Sequence, residues 1–291
     1  MSLVGSVSAM PELPEVQAHA ERLTDEFAGA VLAKFVPISF SVLKTAVPSP
    51  STAVGRTLSG FTRRGKVLVM QIDSDGEPLS FVIHLMQGGR LVPDEKQSAK
   101  PRNGMARWVF DDGRALLLTE AGKERKAGVW VIEGDPDAQP PLDHLGVDAD
   151  VATIDQLTAA LHEKNQRLHG FLRDQHGVAG LGRMLANEIC HTAKLSPFAM
   201  TKKLTPDEIE TLHAAIGTCI ASALEFERGM ERMSKSAERP GAVHHRSGSE
   251  CPVCGDTIRA VEYSAYEVDY CPTCQTGGKV LADNTTSKFL K

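Results

Sequence analysis

At 291 residues and 42% hydrophobic, the chain is long enough for two domains and a small module, with material for a sizeable core. No apolar run approaches the length of a membrane span, and the opening MSLVGSVSA lacks the basic start and apolar length of a secretory signal. A formal charge of −5 excludes a uniformly basic nucleic-acid binder, so any contact with DNA must rest on local patches.

Residues 1–9 read as a processed or non-native leader. Met10-Pro11-Glu12-Leu13-Pro14-Glu15 follows, with Pro14 suited to the first residue of a helix and Glu15 favoured by the positive helix start. Leu13, Val16, Leu23 and Phe27 then mark one face of an amphipathic helix ending near Gly29. Pro11 and Glu12 have two readings. They lead into the helix, or, if the working chain starts at Pro11, they pair a free secondary amine with a carboxylate. Such a pair can attack a sugar aldehyde carbon and move its protons. With residues 1–9 attached, the Pro11 nitrogen is a tertiary amide without nucleophilicity.

From Ala30 to about Ile132 the pattern is of strands. Val67–Ile72, Leu79–Leu85, Ala106–Phe110, Ala115–Thr119 and Val129–Ile132 are short and aliphatic, divided by turn signals such as Asp111-Asp112-Gly113. This suits an antiparallel sandwich or barrel. Gly134–Pro141 is an acidic, proline-rich linker. Helices take over from about Ala152. A glycine-rich turn, Gly177 to Gly182, opens onto a helix at Met184–Cys190, and such a helix start can hold a phosphate or serve as a plain corner. Thr205-Pro206-Asp207-Glu208 forms a capping box, after which Ile209, Leu212, Ile216, Cys219, Ile220 and Ala223 mark one buried face. Met230–Gly248 is polar and irregular.

Of six cysteines, Cys190 and Cys219 fall in helical apolar patterns and read as small buried thiols. Cys251, Cys254, Cys271 and Cys274 form C-x2-C-x16-C-x2-C, which turns four thiolates toward one tetrahedral structural zinc (Zn2+). Two disulfides are the alternative, and they need an oxidising compartment that nothing in the sequence indicates. The tail 276–291 has no clear periodicity.

PELPEV, a lysine after an arginine pair, a glycine turn before a helix carrying Ala186-Asn187-Glu188, and a terminal four-cysteine knuckle occur in that order. The set, spanning about Met10 to Gln275, resembles the formamidopyrimidine-DNA glycosylase/endonuclease VIII family of base-excision repair enzymes. The resemblance implies an α+β multidomain protein. Its parts are an N-terminal β-sandwich with a leading helix (10–135), a helical helix–two-turns–helix domain (150–240), a zinc finger (245–275) and a tail (276–291). It implies an intracellular monomer, in the cytoplasm or nucleoid and not at a membrane, acting on damaged double-stranded DNA that runs through a cleft between the lobes.

The implied activity is that of a bifunctional glycosylase and abasic-site lyase. Pro11 is the nucleophile at C1′, and Glu12 protonates the opening deoxyribose oxygen. Lys66 reaches a phosphate beside the lesion, and Glu15 and His84 support the site. Lys123, Arg125, Gly182, Arg183 and Asn187 are the expected DNA contacts, with Gly180 part of the same turn. The alternatives are a non-catalytic DNA binder, should residues 1–9 be retained, and an abasic-site lyase with little glycosylase activity.

The chain departs from the family in several places. Met86-Gln87-Gly88-Gly89-Arg90 replaces the loop bearing the gap-filling Met, with Met86 or Gln87 in its place. The family's D-P-R-R-F-G segment becomes Glu120–Gly128, without the arginine pair or the aromatic wedge. G-x-G-N becomes Gly180-Leu181-Gly182-Arg183, and Tyr266 stands where the finger's DNA-binding arginine is expected. Between Cys251 and Cys274 only Arg259 is positive, against Asp256, Glu262, Glu267 and Asp269. The run from Gly229 to Val243 is short for the loop that caps 8-oxoguanine, which leans substrate choice away from that base alone.

Overall fold

The computed structural model describes residues 10–74, 76–121, 125–234, 238–263 and 266–281. The chain divides into two units, Met1–His144 with Glu227–Ser236, and Leu145–Phe226 with Ala237–Lys291. Among the described residues no helix is long and apolar enough to cross a membrane.

In the first unit helix α1, Leu13–Phe27, buries Leu13, Val16, Ala20, Leu23 and Phe27 along one stripe. It starts one residue earlier than Pro14 suggests. Pro14 takes the second helical position, where an N–H would still lack a helical acceptor, so the missing donor costs nothing. Gly29, at φ +86°, turns the chain out of the helix.

Among the described residues eight strands follow: β1 Leu32–Pro37, β2 Leu58–Arg64, β3 Val67–Ile72, β4 Leu79–His84, β5 Gly89–Pro93, β6 Gly104–Phe110, β7 Ala115–Glu120 and β8 Gly128–Glu133. They form two four-stranded antiparallel sheets, β1-β6-β7-β5 and β2-β3-β4-β8. Leu68, Met70, Phe81 and Ile83 of one sheet share a core with Trp108, Leu116 and Leu118 of the other. Phe81 and Trp108 meet edge to face at 5.8 Å, and Phe35 lies 5.1 Å from Trp108, so rings cross the sandwich.

The register collects the loops that matter at one end of this sandwich. Pro37 pairs with Ala106, Gly104 with Thr119 and Gly89 with Glu120 in one sheet; Arg64 pairs with Val67, and His84 with both Val67 and Gly128, in the other. The Gly65-Lys66 turn, the loop after His84 and the loop after Glu120 therefore share that end. Helix α1 runs antiparallel to β2: Thr24 Oγ1 accepts from Phe61 N–H at 2.8 Å, and Gly29 N–H donates to the Leu58 carbonyl at 2.8 Å. Its N-terminus points toward the same end.

The second unit holds a short parallel pair, β9 Val147–Asp148 with β10 Val178–Ala179, and the helices α2 Ile154–Glu163, α3 Leu168–Arg173, α4 Arg183–Thr192 and α5 Pro206–Arg228. The capping box of α5 forms: Thr205 N–H donates to Glu208 Oε2 at 2.8 Å, and Glu208 N–H to Thr205 Oγ1 at 3.3 Å. Ile209, Leu212, Ile216, Ile220 and Ala223 are buried as expected. Cys219 is not; it is half-exposed at the edge of the stripe, and Ala215 is buried with the others. Strands β11 Arg259–Tyr263 and β12 Tyr266–Tyr270 form an antiparallel hairpin, and α6 Pro272–Thr276 follows. The fold is α+β, with N-terminal sheets, a helical domain and a C-terminal finger.

Candidate active site and zinc module

At the head of α1, Pro11 is buried and Glu12 and Glu15 are 5% and 3% exposed. The two carboxylates form a reciprocal cap. Glu12 N–H donates to Glu15 Oε2 at 3.1 Å, and the Glu12 side chain accepts the backbone N–H of Glu15. Sequence reading gave Glu15 a macrodipole role; the geometry adds that it fixes the backbone of Glu12.

Lys66 is the second residue of a two-residue hairpin loop between β2 and β3, and Gly65 before it takes φ +56°, a conformation that favours glycine. His84 ends β4, and its Nδ1 accepts the Met86 N–H at 3.0 Å. Burial, then the nearby charges of Lys66 and His144, lower its pKa to about 4. The imidazole is thus neutral near pH 7, with its proton on Nε2, and serves as a brace for the loop that follows. That loop is tight: a Cβ on Gly89 would lie 1.9 Å from the Leu85 carbonyl oxygen, and Met86 itself adopts φ +54°.

Buried Glu120 accepts the Ala127 N–H at 2.6 Å and closes the base of the next loop. Arg125, exposed and at φ +46°, donates to the Gly104 carbonyl at 2.8 Å. Lys123 lies outside the described residues, as do residues 1–9. One end of the first unit therefore gathers the α1 start, Lys66, His84, Met86, Gln87 and Arg125.

In the second unit α4 begins at Arg183 with Gly182 as its N-cap residue, and Gly180 takes φ +102° in the turn before it. Asn187, expected to contact phosphate, is corrected to an internal role. It is 0% exposed, and its Nδ2 bonds Asp269 Oδ2 at 3.0 Å and His244 Nδ1 at 2.9 Å. Glu188, which sequence reading did not single out, accepts N–H bonds from Ala242, Val243 and His244 at 2.7, 3.0 and 2.8 Å. The Asn187-Glu188 pair ties helix α4 to the finger.

Four sulfur atoms, from Cys251, Cys254, Cys271 and Cys274, lie within 4.8 Å of one another. Cys251 and Cys274 are 3.9 Å apart and Cys254 and Cys271 3.4 Å. Tetrahedral zinc with Zn–S near 2.3 Å needs sulfurs roughly 3.8 Å apart, whereas a disulfide needs about 2.05 Å. The cluster fits the metal. Burial opposes the Cys251 thiolate, but hydrogen bonds from the Val253 and Cys254 N–H groups, His191 and Cys271 together outweigh it and bring the pKa to about 6. The finger is a structural zinc site for one ion.

The N-terminal domain of formamidopyrimidine-DNA glycosylase matches residues 10–130, its H2TH domain 145–235, and the zinc finger found in FPG and IleRS 248–277. A formamidopyrimidine-DNA glycosylase of Desulforamulus reducens is 30% identical over 279 residues, covering 91% of this chain and 99% of that protein. The chain belongs to the formamidopyrimidine-DNA glycosylase/endonuclease VIII family.

A second family relative, an uncharacterized formamidopyrimidine-DNA glycosylase-like protein of Mycobacterium tuberculosis, is 42% identical over 149 residues, covering 50% of this chain and 94% of its own. Among solved structures, MutM (FPG) of Thermus thermophilus is 25% identical with a TM-score of 0.77, covering 93% of this chain and 100% of that one. A mutant FPG of Lactococcus lactis, in complex with Fapy-dG containing DNA, has the same fold at a TM-score of 0.80 and 21% identity, covering 91% and 100%. The formamidopyrimidine-DNA glycosylases are enzymes of DNA repair, and the domain order of this member is theirs throughout.

Proposed function

We propose that this family member is a bifunctional DNA glycosylase and abasic-site lyase that uses the Pro11 amine as its nucleophile. The observation that carries the reading is the pairing of Pro11 with a capped, buried Glu12 at the sandwich end that also holds Lys66. The match to the family's N-terminal domain begins at Met10, which supports a working chain that starts at Pro11.

An α-amine has a reference pKa of roughly 8, so an appreciable fraction is neutral near pH 7, whereas a lysine at about 10.4 needs tuning. The Pro11 lone pair forms a bond to C1′ of the damaged nucleotide, and the N-glycosidic electrons leave with the base, which takes up the proton released from the Pro11 nitrogen. Glu12 then gives its proton to the ring oxygen as the C1′–O bond breaks, leaving a C1′=N iminium. The Glu12 carboxylate left by that step takes a C2′ proton, the 3′ C–O bond breaks to expel the phosphate by β-elimination, and water releases Pro11 from the sugar. Lys66 holds a phosphate beside the reacting sugar, and Arg125, Lys123, Gly182 and Arg183 add backbone contacts. The protein acts as an intracellular monomer on damaged duplex DNA.

A second reading keeps the lyase and loses most of the glycosylase. It is favoured by the segment Glu120–Gly128, which lacks an arginine pair and an aromatic wedge and so has less with which to hold a base out of the stack. Incision of duplexes bearing either one oxidised base or one abasic site, by protein beginning at Pro11, separates the two. Cleavage of both, with free base released, is expected. Cleavage at the abasic site alone selects the second reading, and cleavage of neither removes both.

A further inference from the structure

The tip of the zinc hairpin carries two tyrosines in place of a positive charge. Tyr263 and Tyr266 pair across the strands, and their rings stack at 4.8 Å with 13° between planes. His169 from α3 stacks on Tyr266 at 6.3 Å and 16°. Onto the same ring come two cations: Arg173, at the end of α3, with Cζ 4.2 Å from the ring centre, and Arg183, at the start of α4, at 5.4 Å. Nearby, Arg167 donates to the Tyr263 hydroxyl at 2.9 Å and lies 5.2 Å from the Phe198 ring.

The hairpin sorts its charges by face. Glu262 opposes Glu267 and Ala260 opposes Asp269, while Tyr263 opposes Tyr266 one position further along. Strand alternation therefore puts the acids on one side and the tyrosines on the other. Asp269 is engaged by Asn187 and by the His245 N–H at 2.9 Å, and Glu267 faces His245 at 3.7 Å. The tyrosine side is left to the arginines. Burial, and after it the charge of Arg173, hold the Arg183 guanidinium below its ordinary pKa. His169 adds no charge to the pile, because burial and Arg173 push its pKa to about 3.

Two guanidinium groups brought to one ring carry like charge, and an anion bound by both relieves their repulsion. A guanidinium is attracted to an aromatic ring by its charge, while its planar fork of N–H groups matches the oxygens of a phosphate. Resting on the DNA-directed function proposed above, we infer that Arg173 and Arg183 form a two-arginine grip on the phosphodiester backbone of DNA, with Tyr266 as the positioning residue. The aromatic replaces a lone hairpin cation by organising two cations from the helices. Tyr266 works as a support and not as a platform for bases, since Tyr263, His169 and both arginines already pack around it.

The test is the salt dependence of duplex binding by the full chain between about 50 and 200 mM salt, with zinc content measured alongside. R173Q and R183Q are each expected to lower the slope of log affinity against log salt by about one. Y266L removes no charge, yet is expected to lower that slope by about as much as the double arginine variant, with one zinc retained; Y266F keeps the ring and is expected to behave as the parent. R173Q, R183Q and Y266L are expected to raise the KM for abasic DNA, whereas Y266F keeps the parental KM. A parental slope in R173Q/R183Q overturns the grip. A parental slope in Y266L, or its loss of zinc, overturns the positioning role. Absence of DNA binding by the parent protein is a different result, and it counts against the proposed function itself.

Discussion

Glu12 and Glu15 hold each other. The Glu15 carboxylate accepts the Glu12 N–H at 3.1 Å, and the Glu12 side chain returns a bond to the Glu15 N–H. A carboxylate has two oxygens, so a cap made with one leaves acceptor and proton-carrying capacity on the other. Removing the partner with Glu15→Ala is expected to cost about 1 kcal/mol of stability and to slow the lyase step about tenfold by freeing Glu12. Glu15→Gln preserves the capping box and is expected to restore most of both. Thermal unfolding and single-turnover incision read the two effects; equal loss in Ala and Gln variants would contradict the capping account.

Lys66 sits in a two-residue turn with no role in the core. Lys66→Ala is expected to change stability by less than about 0.5 kcal/mol, to lower the salt slope of DNA binding by about one and to cut kcat/KM. An unchanged slope would remove the phosphate role.

Histidine burial makes an acid-side prediction. His19 donates through Nε2–H to the Leu91 carbonyl at 2.7 Å, and burial lowers its pKa to about 4, with Arg22 and Arg90 adding to the fall. His84 is likewise near 4. Each pKa lies below the unfolded value of about 6.5, so the unfolded chain binds more protons between those limits. The stabilisation is complete above about pH 6.5 and is lost as pH falls toward 4. For His19 the loss is up to about 3 kcal/mol. A His19→Gln variant is expected to show a flatter stability profile from pH 6.5 to 4, measured by denaturant melts; an unchanged slope would rule His19 out as a source.

Zinc and the Asn187–Asp269 bond act on the same joint. Asn187→Ala leaves the Asp269 carboxylate buried with one partner fewer, at a cost of about 1–3 kcal/mol. Zinc should leave this variant at a lower chelator concentration than the parent, followed by a zinc-sensitive dye. Chelation of the parent is expected to melt the finger. Parental zinc retention in the variant would show that the bond does not brace the site.

What the sequence made legible was local. The α1 stripe repeats at helical spacing within one segment, and each cysteine pair is contiguous, so both could be read without knowing the fold. The aliphatic strands β3, β4, β6, β7 and β8 were visible for the same reason. Strand β1 was not, because only Leu32 of its six residues is buried and no alternation shows. Strand β2 is broken by a register shift between Leu58 and Gly60, and β5 is five residues with Val92 and Pro93 exposed. The DNA contact expected of Asn187 rested on the family resemblance, and nothing local to that helix shows that Asp269, far along the chain, meets its side chain. Arg173 carried no local signal, since its meaning comes from the ring of Tyr266 on another element.

Borohydride trapping reads most directly whether the Pro11 amine bonds to the sugar. Two matched chains, one beginning at Pro11 and one keeping residues 1–9, are incubated with abasic-site DNA and borohydride, digested and weighed. A reduced sugar adduct is expected on the peptide that starts at Pro11, and none from the longer chain. An adduct on a lysine, or no adduct from the chain beginning at Pro11, would contradict that bond.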